Sequence, residues 1–322
     1  DLTTEDLITP EDVVVTLTHE GYVKSQPLDV YQAQRRGGRG RSATKTKDED
    51  FIDKLWVTHT HDTLLCFSSA GKVYWLKVYE LPSAGRGARG KPIVNMLPLE
   101  NDERISQVLP VKSFDTGENV FFATRRGTVK KTPLEAFSRP RANGIIAIDL
   151  RADDALVGVD LTEGESQIML FSDGGKVIRF AEADVRSMGR VAAGVRGIRL
   201  GKGQSVIALI VMREGHILTV SEHGYGKRTP VDDYPLRGRG GQGVLALAQS
   251  KKTGAVIGAT QVGEDDEVML ITNIGTLIRT PVAEISIVGR NTQGVRIIRI
   301  ADEHKLVGID RIAADEDEGE DA

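Results

Sequence analysis

The sequence predicts an all-β protein, a propeller-like disc of six four-stranded antiparallel blades. Three observations predict it. A Ser/Thr-x-x-Gly tetrad follows an apolar run six times, at 18–21, 68–71, 124–127, 172–175, 221–224 and 272–275, so its glycine recurs roughly every 50 residues. A second glycine follows each tetrad, at Gly40, Gly90, Gly144, Gly194, Gly243 and Gly294. Sustained helical periodicity is absent. A unit of this length holding about four strands suits a propeller blade; a β-solenoid is the architectural alternative.

Each unit reads in order. The runs 120–123, 167–171 and 268–271 are rich in β-branched or bulky residues and enter the tetrad as strands. The tetrad closes a hairpin loop in which glycine takes a positive φ at no steric cost. Residues 128–132 and 276–280 read as returning strands, and 134–137 and 182–185 as single helical turns. After the second glycine come short runs, 145–150, 195–200, 244–248 and 295–300, which also read as strands. A polar turn and a last strand, such as 155–161 or 305–311, complete the unit. The first unit departs from this pattern. Its residues 41–47, after Gly40, are polar and basic, so an exposed loop is expected there.

The chain has 322 residues, 40% of them hydrophobic, more than one compact domain usually holds; repetition accounts for the length. It begins at Asp1, which reads as a fragment or a processed product. No apolar run approaches the roughly 18 residues of a membrane helix. The single cysteine, Cys66, excludes an internal disulfide framework and a cysteine-based zinc cluster, and a cytoplasmic location is expected. Three regions are expected: an acidic lead-in, 1–12; the six-bladed body, 13–313; and an acidic disordered tail, 314–322. The net charge of −4 hides this division. The lead-in carries five acids and the tail six, neither carries a base, and the body therefore sets 42 bases against 35 acids.

The densest basic cluster is Gln34-Arg35-Arg36-Gly37-Gly38-Arg39-Gly40, followed by Arg41, Lys45 and Lys47. Glycine lets a backbone approach a partner closely, and the guanidinium fork matches phosphate oxygens. Weaker copies precede or flank the later second glycines: Arg86, Arg89 and Lys91; Arg139 and Arg141; Arg190 and Arg196; Arg237 and Arg239; Arg290 and Arg296. A base also follows the turn glycine by three or four residues in five units: Lys24, Lys130 with Lys131, Arg179, Lys227 with Arg228, and Arg279. Closing six units into a disc places these cations periodically around one rim, a track on which duplex DNA can bend. Such contacts act on phosphates rather than base edges. An aromatic content of 5% argues against stacking on single strands. The plainer alternative is that surface arginines serve solubility.

The heptapeptide at 34–40 resembles the gyrase A box, a hallmark of the C-terminal domain of bacterial DNA gyrase A. The resemblance runs along essentially the whole chain, including FIDKLWVTHTHDTLLCFSSAGKVYWLKVYELP at 51–82, GTVKKTPL at 127–134 and EISIVGRNTQGVR at 284–296. It implies a six-bladed β-pinwheel whose neighbouring blades share strands, with the box on the first blade and required for wrapping. It further implies positive wrapping of double-stranded DNA around the outer edge, presenting a second segment to the cleavage gate of an ATP-dependent type IIA topoisomerase that introduces negative supercoils. The partners implied are the breakage-reunion domain of gyrase A, together with gyrase B, in an A2B2 holoenzyme, the isolated domain being a monomer. The catalytic tyrosine and the ATP and magnesium sites belong to other domains, so no cofactor is expected in this chain. The resemblance also supports regulation by an acidic tail, as in some members.

Three rivals remain. The corresponding domain of topoisomerase IV lacks an intact box; a protein-interaction propeller would not need regular arginines; an enzyme with a site in the central channel would need a catalytic set that is not evident. Other signals weigh little. Gly85/Gly87/Gly90 and Gly238/Gly240/Gly243 spell a dinucleotide-binding pattern, but neither opens a helix in a βαβ unit. His59 and His61 are expected on one face of a strand without a third metal ligand. Cys66 is expected in the core, and the Asp153-Asp154 and Asp265-Asp266 pairs in solvated turns.

Overall fold

The structure, a computed structural model, describes residues 3–30, 52–85 and 87–314. It is a six-bladed β-propeller, all-β apart from short 3-10 turns and helical residues at 28–30. The fourth blade shows the plan. From the axis outward run Val206–Val211, Gln167–Ser172, Lys176–Ala181 and Val244–Leu245, every neighbour antiparallel. The innermost strands of successive blades, Ile105–Val111, Leu156–Thr162, Val206–Val211, Val256–Val262 and Leu306–Ile312, lie side by side, which places them nearest the axis. In blades one to five the outermost strand belongs to the next repeat: Lys91–Pro92, Ile145–Ile146, Val195–Arg196, Val244–Leu245 and Val295–Arg296. The sixth blade has three strands among the described residues.

The second strands read as continuous apolar runs because both of their faces are covered. In Gln167–Ser172, Ile168 and Leu170 pack with Phe121 of blade three, while Met169 and Phe171 pack with Ile217 and Tyr234 of blade five. Five such apolar clusters occur among the described residues, each filling the gap between two successive blades. Cys66 is fully buried in one of them, as expected.

The tetrad has a double physical basis. Its glycine takes a positive φ, +76° at Gly175, where a Cβ would meet the Leu247 carbonyl oxygen at 2.7 Å. Its Ser or Thr oxygen accepts the N–H of the residue after the glycine: Thr18 from Tyr22, Thr124 from Thr128, Ser172 from Lys176 and Thr272 from Thr276.

Three expectations need correction. The runs after the second glycine are strand for two residues only. The chain then turns inward because two successive N–H groups share one turn-glycine carbonyl, as Ala147 and Ile148 do with Gly71 and Gly197 and Ile198 with Gly127. Their apolar character comes from plugging the gap between blades: Ala147, Ile148 and Ile198 are buried. His59 ends the strand Ile52–His59 and His61 lies in the following turn, so they do not share a strand face. His61 instead fastens the lead-in, through Glu5 (3.7 Å) and the Ile8 carbonyl (3.1 Å). Asp266 is buried rather than solvated, because Gly263 N, Ala314 N and Arg311 Nε all donate to it. Among the described residues no helix is long and apolar enough to cross a membrane.

Candidate nucleic-acid interface

After its third strand and 3-10 turn, each of repeats two to six crosses back to the preceding blade. It first touches that blade's third strand in parallel, at Ser83 with Ser25, Ser187 with Lys131, Leu236 with Arg179 and Ile287 with Arg228. It then rejoins the same strand antiparallel, Lys91 opposite Val23, Val195 opposite Val129, Val244 opposite Val177 and Val295 opposite Gly226. Between these anchors lie the arginine-bearing segments, which therefore project from the outermost edge of the disc. Segment 138–144 reaches blade two in the same way, entering where Trp75 Nε1 donates to the Phe137 carbonyl at 2.8 Å. The second glycine permits this close return. Gly194 has φ +106°, and a Cβ there would stand 2.4 Å from the Val129 carbonyl oxygen.

Arg89, Lys91, Arg139, Arg141, Arg196, Arg237, Arg239 and Arg296 are exposed on this edge, and Arg190 and Arg290 are half-buried. Several link one loop to its neighbour. Arg239 donates to the Asp184 and Arg196 carbonyls, Arg290 to those of Asp233 and Leu245, and Arg190 to that of Ile146. Main-chain bonds run the same way, from Asp149 N to Ala192 O, Arg199 N to Gly241 O and Ala248 N to Thr292 O. The loops of repeats three to six thus form a belt hydrogen-bonded in series. Each guanidinium has five N–H donors, so those making one or two such bonds keep others for a ligand. Arg89 stacks on Tyr22 and Arg296 on Tyr225, 4.6 and 5.2 Å from the ring centroids.

The bases three and four residues after the turn glycine are a different matter. Lys130, Lys131, Lys227 and Arg228 are buried, so they cannot form the phosphate contacts expected of them. Their donors fasten one blade to the next: Lys131 Nζ to Glu182, Arg228 Nε to the Ile285 carbonyl, and the two lysines at 130 and 227 to loop carbonyls. Arg179 is half-buried and donates to Gln167 Oε1 and the Tyr234 carbonyl. Arg279 is exposed but paired with Glu267 at 2.9 Å. Gln34 to Arg41, Lys45, Lys47 and Arg86 lie outside the described residues.

Sequence reasoning missed Arg199, which is exposed beside the blade-four loop through its bond to Gly241. A signal existed: Gly-Val-Arg-Gly-Ile-Arg at 194–199 matches Gly-Val-Arg-Ile-Ile-Arg at 294–299, so Arg199 and Arg299 are equivalent. Among the described residues no group of three His, Cys, Asp or Glu could hold a metal ion.

The DNA gyrase C-terminal domain, beta-propeller family matches residues 12–55, 62–112, 118–163, 166–211, 215–262 and 266–313. The chain is 58% identical to the DNA gyrase A protein of Salmonella typhimurium over 321 residues, 99% of this chain and 37% of that protein. It is 58% identical to the DNA gyrase A protein of Escherichia coli K12 over 319 residues, 99% of this chain and 36% of that protein. The chain therefore spans little more than a third of these relatives. Two solved structures share its fold. The C-terminal domain of DNA topoisomerase IV superposes with a TM-score of 0.79 at 27% identity, covering 95% of this chain and 94% of that one. A DNA gyrase A C-terminal domain gives 0.75 at 26%, covering 94% and 100%. With one matched segment for each blade, the chain belongs to the DNA gyrase C-terminal domain, beta-propeller family.

Proposed function

We propose that the chain binds duplex DNA along its outer edge, with little regard for sequence, and wraps it with a positive hand. In the whole protein this wrap presents a second duplex segment to the cleavage gate, so that ATP-driven passage introduces negative supercoils. The setting is a cytoplasmic A2B2 assembly with the rest of gyrase A and with gyrase B. Bond breakage, ATP and magnesium are served by other domains, and this chain contributes binding and geometry. The observation that carries the proposal is the belt of arginine-bearing loops along one outer edge, those of repeats three to six joined in series. A curved track of fixed cations offsets the elastic cost of bending DNA through many phosphate contacts. The box residues Gln34 to Gly40 are proposed as the principal contact.

Topoisomerase IV shares the fold closely, but the 58% identity to DNA gyrase A favours the gyrase reading. The test is to relax and religate a plasmid in the presence of this chain at low salt. Trapped positive writhe is expected, and Arg35, Arg36 and Arg39 replaced together by alanine should remove it without lowering the melting temperature. An unshifted topoisomer distribution with the unaltered chain would refute the proposal.

A further inference from the structure

We infer that Lys24, Lys130 and Lys227 are positioning residues for the phosphate track, each holding a rim loop from beneath by its carbonyl oxygens and placing a positive charge behind it. The inference rests on the DNA-binding reading above and assigns a role in it to side chains behind the loops. The three occupy one place, the third residue after the turn glycines Gly21, Gly127 and Gly224. Lys24 Nζ donates to the carbonyls of Gly85 (3.1 Å) and Ala88 (3.0 Å). Lys130 Nζ donates to those of Ala147 and Arg190, both at 2.6 Å. Lys227 Nζ donates to those of Gly289 (3.0 Å), Arg290 (2.6 Å) and Thr292 (2.8 Å). Carbonyls turned in toward the ammonium help set the loop backbone that carries the arginines.

The fold alone does not require a lysine there. Lys130 and Lys227 are fully buried, and no carboxylate among the described residues forms an ion pair with either. A charge buried this way is costly. Blades two, four and six place Tyr74, Ile178 and Ile278 at the equivalent position, so an uncharged side chain serves the same architecture. What the charge gains is a polyanion outside: a cation in a low-dielectric interior is screened far less by salt than one at the surface.

The protonation equilibrium makes this testable. Burial, and then Arg190, pull Lys130 down to about 8 against an opposing pull from Asp149, and the Phe122 ring lies 5.5 Å from its nitrogen. Burial, and then Arg290, bring Lys227 to about 8 as well. A phosphate backbone passing outside raises both values, so binding near pH 8 takes up protons. The effect on stability has the opposite sense. The folded value lies below the ordinary 10.5, so the cost of the buried charge is present below about pH 8 and disappears as pH rises toward the ordinary value. Alkaline pH therefore weakens DNA binding without loosening the fold through these groups.

Calorimetric titration of the chain with long duplex at pH 8, in buffers of different ionisation enthalpy, reads the proton uptake. Up to about one proton per chain is expected, two groups each being about half titrated near their own pKa. The Lys130→Met, Lys227→Met double variant should lose that uptake and bind about tenfold more weakly while keeping the β-sheet circular-dichroism spectrum of the unaltered chain. Uptake that survives the double substitution, or affinity within twofold of the unaltered chain, would overturn the inference. Absence of any binding by the unaltered chain at low salt would instead overturn the reading beneath it. Should the double variant not fold, side-chain ammonium NMR of the unaltered chain decides. Two lysines titrating near pH 8 and moving upward with DNA support the inference, and lysines titrating at the ordinary value refute it.

Discussion

Glu182 shows how much one buried side chain carries in this fold. It is fully buried, and its carboxylate accepts from the Gly164 and Ser166 N–H groups and from the Thr162 hydroxyl, with Lys131 Nζ 3.9 Å away. Removing one partner of a buried pair leaves the other uncompensated, at a cost of about 3–5 kcal/mol. Glu182→Ala should therefore lower unfolding free energy by about that amount, measured by urea denaturation. A loss below about 1 kcal/mol, the range of exposed pairs, would show that Lys131 finds water instead. Gly194→Ala adds a Cβ 2.4 Å from the Val129 carbonyl oxygen at a φ of +106°. A strained backbone position of this kind costs on the order of 1–3 kcal/mol, so the variant should melt lower and displace the loop that carries Arg190. Cys66 makes a simpler case. Burial pushes its thiol up to about 12, and the nucleophile is the thiolate. A disulfide reagent should modify it only under denaturing conditions, and rapid modification of the native chain would place it at a surface.

At the scale of the elements, the exchange of the outer strand makes each of blades one to five incomplete without the repeat that follows. Blade five receives Val295–Arg296 from the last repeat, Lys227 is held by carbonyls at 289–292, and Arg228 donates to the Ile285 carbonyl. Ending the chain at residue 263 should therefore remove more than one blade: it also leaves two buried cations of blade five without acceptors. A β-sheet content falling by nearly two blades, measured by circular dichroism, is expected, whereas a loss of only one blade would mean that the exchanged strands are dispensable. The sequence shows this architecture well where chemistry is local. The tetrad is legible because both its glycine and its hydroxyl act within five residues. The segments 145–150 and 195–200 misled because an apolar run reads alike whether it extends a sheet or plugs the space between two. Lys130 and Lys227 misled for a related reason, since a buried cation and a rim cation are the same letter. Register separates them: Lys130 stands opposite Phe122, a core residue, whereas Arg196 stands opposite Thr128 at the outer edge. The first pairing lies within one hairpin, but the second joins two repeats, which spacing within one repeat does not reveal.

The whole molecule divides its charge by surface, so a net charge of −4 is compatible with the proposed binding of a polyanion. At one end of the disc the 3-10 turns meet the loops that run from the innermost strand of one blade to the second strand of the next, as where Glu182 N donates to the Ser166 carbonyl and Val282 N to that of Asp266. This face carries exposed Glu135, Glu163, Glu165, Glu214, Asp232, Asp233, Glu264, Asp265 and Glu284. On the proposed function it repels a phosphate backbone, while the edge beside it attracts one, which would confine the DNA path to the circumference. Confinement to a curved edge gives binding a length dependence that a flat patch does not have. A duplex of about 20 base pairs can lie along a few loops with little bending, whereas one of about 100 must curve, at a cost on the order of 1–6 kcal/mol for each 20–30 base pairs. Each added phosphate contact releases counterions and steepens the salt dependence by a little less than one unit of slope. Affinity at low salt and the slope of log K against log salt should therefore both rise with duplex length until the edge is occupied. Replacing Arg237 and Arg239 by alanine should lower the slope by up to about two for long duplex and much less for short. Charge reversal at Asp232 and Asp233 should extend contact onto the acidic face and raise the slope. Fluorescence anisotropy across a salt series measures all three. A slope that is the same for short and long duplex would mean that DNA meets a single patch and is not carried around the disc.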